Sequence, residues 1–240
     1  MSGSRNREHW DGLGAEYGAN WATPMQRRLA QQELSFVLRH VPSTPGQTVL
    51  DVGIGTGRVL EALLNHDSVG AVYGVDVAPE MVRVCEEKFG GHPKLKGLSV
   101  CDVAREEVPV PGGLSFVSAV RMLKYNANWW DVVETNLVPH IAPGGVLVFS
   151  MPNRNSVKFF SRPYAVPYFK TTKKELLRRL GAAPLEPLEV SGFTKLPDPV
   201  YGRTRGERLT SALLACERGM DLAIGPDTLT RELFVAARKV

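Results

Sequence analysis

Residues 51–57 read DVGIGTG, and the reading of this glycine-rich turn decides the fold. It closes the β-type run QTVLD at 47–51 and opens a helical pattern at 57–65. Working outward, further β-type runs stand at 70–76, 96–101, 114–120 and 145–150, with helical patterns at 79–89 and 128–141 between them. The connection 103–113 reads as loop. Strands alternating with helices at this spacing imply βαβ units and a parallel sheet. Ligands of such sheets bind at the carboxyl ends of the strands, beside the first one. DVGIGTG sits at that place.

The turn admits several ligands. A dinucleotide fingerprint needs GxGxxG, but Arg58 stands where its third glycine belongs. A triphosphate-binding loop needs Lys-Ser or Lys-Thr after its last glycine, and neither follows. Asp51 weighs more, because a carboxylate at the strand end repels a pyrophosphate and favours a ligand whose near end is cationic. S-adenosylmethionine, with an ammonium and a sulfonium and no phosphate, is such a ligand. Two more acids end the next strands. Asp76 closes VYGVD, and its two acceptor oxygens suit a pair of ribose hydroxyls. A dinucleotide fold also places an acid about 20 residues on, so Asp76 alone does not discriminate. Asp102 closes SVCD, where it can accept from an adenine amino group with the Val103 backbone beside it. Each acid alone could be a turn or cap residue; three at successive strand ends form a pattern.

With these residues in hand, VLDVGIGTGRVL, GVDVAPEMV, CDVAREEVP and APGGVLVFS resemble the successive motifs of class I S-adenosylmethionine-dependent methyltransferases, most closely the small-molecule, ubiquinone-type branch. The resemblance covers about 47–151. It implies an α/β, Rossmann-like, seven-stranded sheet of order 3-2-1-4-5-7-6 with strand 7 antiparallel. It implies that Gly53, Ile54, Gly55 and Gly57 form the backbone cradle of the methionine part. Asp51 would face its cationic end, Asp76 the ribose, and Asp102 with Val103 the adenine; Val77 and Met81 would pack on the adenine ring. Arg121, after strand four, is a further cofactor contact. Tyr17 resembles the tyrosine that many members lay over the cofactor, and Trp21 could close the same lid.

The flanks read as additions to this core. One domain of 1–240 is expected, with a helical lid at 1–42, a cofactor-binding core at 43–151, and a substrate cap and last strands at 152–240. Two helices are expected within 5–40, a sixth strand at 184–193 and a seventh at 229–238. The roughly 35 residues between those strands, with 152–171, form the expected cap. RPYAVP and LPDPVYG are Pro-rich and are expected to lack regular helix.

The acceptor is less legible. The loop RMLKYNANWW after strand four lacks the His that related enzymes often carry, so Tyr125 is the candidate base or orienter and Lys124 an anion contact. Residues 154–208 hold twelve Lys and Arg and five acids, a net +7, in a chain whose total is +4. Arg154, Arg162, Arg203 and Arg205, in loop-like stretches of that segment, are the candidate acceptor contacts. A small anionic or aromatic acceptor follows, methylated on O or C. RNA or protein methylation is the alternative; the pI near 9 leans towards it, but nucleic acid is the less favoured partner. A dinucleotide enzyme or a non-enzymatic cofactor binder is a third reading. Three scattered cysteines form no metal spacing and read as reduced, cytoplasmic thiols. No metal is expected, no apolar run suits a membrane span, and no secretory signal opens the chain. The oligomeric state is left open.

Overall fold

The computed structural model describes residues 7, 10–11, 23–156, 168–204 and 206–240; the side chains of 198, 199 and 203 are also outside the description. Seven strands form one sheet: β1 Gln47–Val52, β2 Val69–Asp76, β3 Leu95–Val100, β4 Leu114–Ala119, β5 Ile141–Pro152, β6 Leu185–Ser191 and β7 Glu232–Lys239. Their order is β3-β2-β1-β4-β5-β7-β6. The first five pair in parallel. β7 runs antiparallel to both β5 and β6. The expected topology is therefore the observed one.

Two-residue alternation builds this sheet. Leu50, Val117, Leu147 and Val235 face one apolar cluster. Their chain neighbours Val49, Phe116, Val148 and Phe234 face the other. Successive side chains of a strand point to opposite faces, so both faces of a central strand must be apolar when both are covered.

Helix α1 (Pro24–Leu38) starts on a capping box: Gln26 N–H donates to Thr23 Oγ1 at 3.2 Å, and Thr23 N–H donates to Gln26 Oε1 at 3.0 Å. Its Phe36 and Val37 pack on the second face. Helices α2 (Arg58–Leu64) and α3 (Pro79–Phe89) follow β1 and β2, within a residue of the expected spans. Further on come α4 (Lys173–Ala182), α5 (Asp198–Arg203) and α6 (Glu207–Ile224). Arg7, Trp10 and Asp11 are also helical.

Three expectations need correction. The segment expected as one helix over 128–141 is a single α turn at Trp129–Asp131, a π-helix at Val132–Leu137 and a 3-10 turn at Val138–His140. β5 begins four residues earlier than expected, at Ile141. LPDPVYG contains the short helix α5, because a proline in the first turn loses no hydrogen bond and has a helical φ already. RPYAVP lies outside the described residues.

Candidate functional site

The three strand-end acids meet at the carboxyl edge of the sheet. β1 delivers Asp51 and the turn after it, β2 delivers Asp76, and Asp102 follows β3. Asp76 and Asp102 line an open cavity of about 770 Å³ with Gly53, Gly55, Val77 and Met81; Val103, Arg121 and Tyr125, also expected at the site, line it too.

The turn's own hydrogen bonds discriminate between ligands. Gly53 N–H and Ile54 N–H both donate to Val75 O, and Gly57 N–H donates to Ile54 O. Gly55 N–H donates to Asp76 Oδ2 at 2.9 Å. Four donors of the loop are thus engaged by protein oxygens, and one of those acceptors is a carboxylate, whose charge beside the turn disfavours a pyrophosphate. The glycines serve tight turns and close packing. Gly53 has φ +75°, and a Cβ there would stand 2.6 Å from Met122 Cβ. Gly57, at φ +91°, caps α2, and a Cβ there would meet Phe89 at 2.5 Å. Gly57 therefore serves the packing of α2 on α3 and does not line the main cavity. Ile54 is likewise core: it packs on the second face and borders only a smaller neighbouring cavity.

Asp51 borders that smaller cavity, with Gly53, Gly55, Arg58 and Arg121. It is 2% exposed. Its Oδ1 accepts from Ser118 Oγ at 2.5 Å, and its Oδ2 has no hydrogen-bond partner. Burial pushes its pKa up to about 7, against the opposing pull of Ser118 and Arg58. A carboxylate oxygen buried and unmatched in this way is suited to an incoming cation. Asp76 is also raised by burial, opposed by the N–H groups of Ala78, Gly55 and Val77. Ala78 N–H donates to its Oδ1 at 3.0 Å, so each oxygen holds one backbone donor and keeps a lone pair for another. Asp102 Oδ1 accepts from Ala104 N–H, and Arg105 stands 3.6 Å from Oδ2.

Arg121 stands where the cavities meet and lines all of them. Its φ is +62°, in the left-handed region that a branched side chain disfavours. Ser150 Oγ accepts its N–H at 2.8 Å, and Glu33 Oε1 accepts from its guanidinium. Glu33 in turn accepts from Arg58 at 2.7 Å. Strain held this firmly beside a cavity is a mark of a functional position.

Sequence reading missed Trp10, Cys101, Met122 and Asn126, which also line the main cavity. Trp10 packs edge-on against Tyr125, ring centres 5.0 Å apart. Arg7 donates to Val77 O and Asp11 accepts from Glu80 N–H, so the described N-terminal residues cross the cavity mouth. Nothing in the apolar periodicity separates Trp10 from Tyr17 and Trp21; those two lie outside the described residues. Cys101 was accessible to sequence reasoning, since it precedes Asp102.

The expected acceptor contacts fare differently. Lys124 does not line the cofactor cavity; it is buried on the far side of Arg121, 3.6 Å from Glu232 Oε1. The side chain of Arg154 is 61% exposed, donates to Lys170 O and faces Glu175, away from both cavities. Arg203 ends helix α5 and is not in a loop; its side chain, and all of Arg162 and Arg205, lie outside the described residues. Among the described residues, no three His, Cys, Asp or Glu side chains group as metal ligands. No described helix is long and apolar enough to cross a membrane.

A family model described as a methyltransferase domain matches residues 49–145. The chain is 29% identical over 225 residues to a ubiquinone biosynthesis O-methyltransferase of Xanthomonas campestris, covering 86% of this chain and 87% of that protein. It is also 29% identical over 117 residues to a trans-aconitate 2-methyltransferase of Rhodopseudomonas palustris, covering 49% of this chain and 43% of the other. Its fold is similar to that of magnesium protoporphyrin IX methyltransferase from Synechocystis, solved with S-adenosylmethionine bound: TM-score 0.63 at 13% identity over 100% of this chain and 98% of that one.

Proposed function

We infer that this chain, which belongs to the class I S-adenosylmethionine-dependent methyltransferases, methylates an anionic or aromatic metabolite on oxygen or carbon. The enzyme uses S-adenosylmethionine and acts on a small molecule. The observation that carries the cofactor geometry is the unpartnered Asp51 Oδ2, set beside a cavity that Asp76 and Asp102 line. The residues present fit the cofactor. Asp51 would receive the ammonium end, Asp76 the ribose hydroxyls, and Asp102 the adenine amino group, with Val77 and Met81 against the ring.

When bound, S-adenosylmethionine supplies a methyl group activated by its sulfonium. The protein's part is to hold the acceptor in line and keep water out, which can provide much of the acceleration. Trp10 forms part of the cavity wall. Tyr125, whose ring borders the cavity and is held by Trp10, takes or orients the acceptor's proton. Arg121 separates the cofactor from the acceptor side.

The test is calorimetric titration with S-adenosylhomocysteine. Asp76→Ala is expected to weaken binding by about 1.5–3 kcal/mol, the worth of a hydrogen bond to a charged acceptor. Undiminished affinity would remove Asp76 from the ribose.

A further inference from the structure

A second cavity, of about 600 Å³, lies beyond Arg121 from the cofactor side. It is built where β5 ends and β7 begins, so it too opens at the functional edge of the sheet. Its lining is part apolar, with Leu29, Pro152, Phe193, Phe234 and the Tyr168 ring, and part charged, with Lys124, Arg121, Arg231, Glu33 and Glu232.

Lys124 is the unusual member. It is 6% exposed. Its ammonium makes no hydrogen bond among the described residues, and its nearest carboxylate oxygen, on Glu232, is 3.6 Å away, outside hydrogen-bonding range. It also stands 5.5 Å from the centre of the Tyr125 ring, and an ammonium, with three donors and no acceptor, has donors left for a ligand in the cavity. Burial lowers its pKa, while Glu232 and Glu33 pull the other way. The two acids are better engaged. Glu232 Oε1 accepts from Ser150 Oγ at 2.7 Å, and Lys124, Arg121 and Ser150 hold its pKa down at about 2. Glu33 is shared by Arg58 and Arg121. The lining therefore carries three cations and two carboxylates, with Glu33 shared by Arg58 and Arg121, and Glu232 by Lys124, Arg121 and Ser150.

We propose that this second cavity is the acceptor site, and that the Lys124 ammonium binds a carboxylate of the acceptor while Tyr168, Phe193 and Phe234 hold its flat apolar body. The proposal rests on the methyltransferase reading above. The carboxylate end sits beyond Arg121, and the atom to be methylated points back past it towards Tyr125 and the cofactor cavity. Anion recognition thus belongs to the loop after β4, not to the exposed Arg154 of the basic segment.

The probes are benzoate and its uncharged counterpart benzamide, titrated by calorimetry against the full chain saturated with S-adenosylhomocysteine. Benzoate is expected to bind at least tenfold more tightly than benzamide. Lys124→Met should weaken benzoate at least tenfold and leave benzamide and S-adenosylhomocysteine unchanged; Lys124→Arg should retain the preference for benzoate. Unchanged S-adenosylhomocysteine affinity shows that the Met variant is folded; should that variant fail to fold, Lys124→Gln takes its place. Equal binding of the two probes, no binding of benzoate, or a benzoate affinity indifferent to loss of the lysine overturns the proposal. Failure to bind S-adenosylhomocysteine would instead overturn the methyltransferase reading, so the two failures are told apart.

Discussion

Asp51 ties stability and ligand binding together through one proton. Its pKa in the fold, about 7, lies well above the ordinary value of 3.8. Between those values the folded state binds a proton that the unfolded chain has released. Stability from this group therefore falls as pH rises from about 4 to 7 and is level above that. A shift of about three units corresponds to roughly 4 kcal/mol at most. Asp51→Asn removes the charge while keeping an acceptor for Ser118. It is expected to raise the melting temperature of the ligand-free protein at pH 8, with the gain vanishing near pH 4, and to weaken S-adenosylhomocysteine at pH 8 at least tenfold. Thermal unfolding across pH, with and without the ligand, checks both signs; a variant less stable than wild type at pH 8 contradicts the account. Tyr125 supports a kinetic prediction at the same scale. Tyr125→Phe should lower turnover about 10²-fold, the lower end for a general base, with cofactor affinity unchanged; undiminished turnover would reduce Tyr125 to a packing partner of Trp10. Residue-level legibility was uneven. Asp51, Asp76 and Asp102 were readable because each ends a β-type run. The separate jobs of the glycines were not, because the partners of Gly53 and Gly57, Met122 and Phe89, are 69 and 32 positions away and meet them only in the fold.

Helix α6 shows how an element is held when apolar burial is thin. Along its 18 residues only Thr210, Leu214 and Glu217 are buried. Glu217 compensates. Its carboxylate accepts from Lys195 N–H at 3.0 Å, from Leu196 N–H at 3.2 Å and from the Tyr201 hydroxyl. One side chain thus ties α6 to the end of β6 and to α5. Glu217→Ala leaves buried donors unmatched, each worth about 1–3 kcal/mol, so denaturant unfolding should show a loss of about 2–4 kcal/mol. Among the described residues, none of 193–224 lines the cofactor cavity, so S-adenosylhomocysteine affinity should survive; its loss would show that α6 also supports the cofactor side. The strands were legible at this scale because strands covered on both faces are written in the sequence as short continuous apolar runs bounded by turn residues. The π-helix at 132–137 was not, because the register of a helix's hydrogen bonds leaves little trace in its apolar spacing. Yet it carries Asn136, which holds the loop after Asp102 through Val103 O, Glu106 O and Val108 N–H.

Across the whole molecule, the sheet order followed from the motifs, but the charge distribution did not translate into a site. Four of the twelve bases of 154–208 are tied to nearby acids and line neither cavity: Arg179 and Arg154 face Glu175, Lys173 faces Asp227, and buried Lys195 faces Asp221. The cations that line the second cavity come from positions 121, 124 and 231, two of them more than a hundred residues from the third. A count along the chain cannot see a cluster assembled across it. The glycine turn is the opposite case, where seven consecutive residues carry the chemistry. The central claim, that this turn and its three acids serve a cationic cofactor without phosphates, is tested most directly by calorimetric titration of the full chain with S-adenosylhomocysteine and, separately, with NAD. The account predicts saturable one-to-one binding of S-adenosylhomocysteine and no heat from NAD; tight NAD binding with no response to S-adenosylhomocysteine would contradict it.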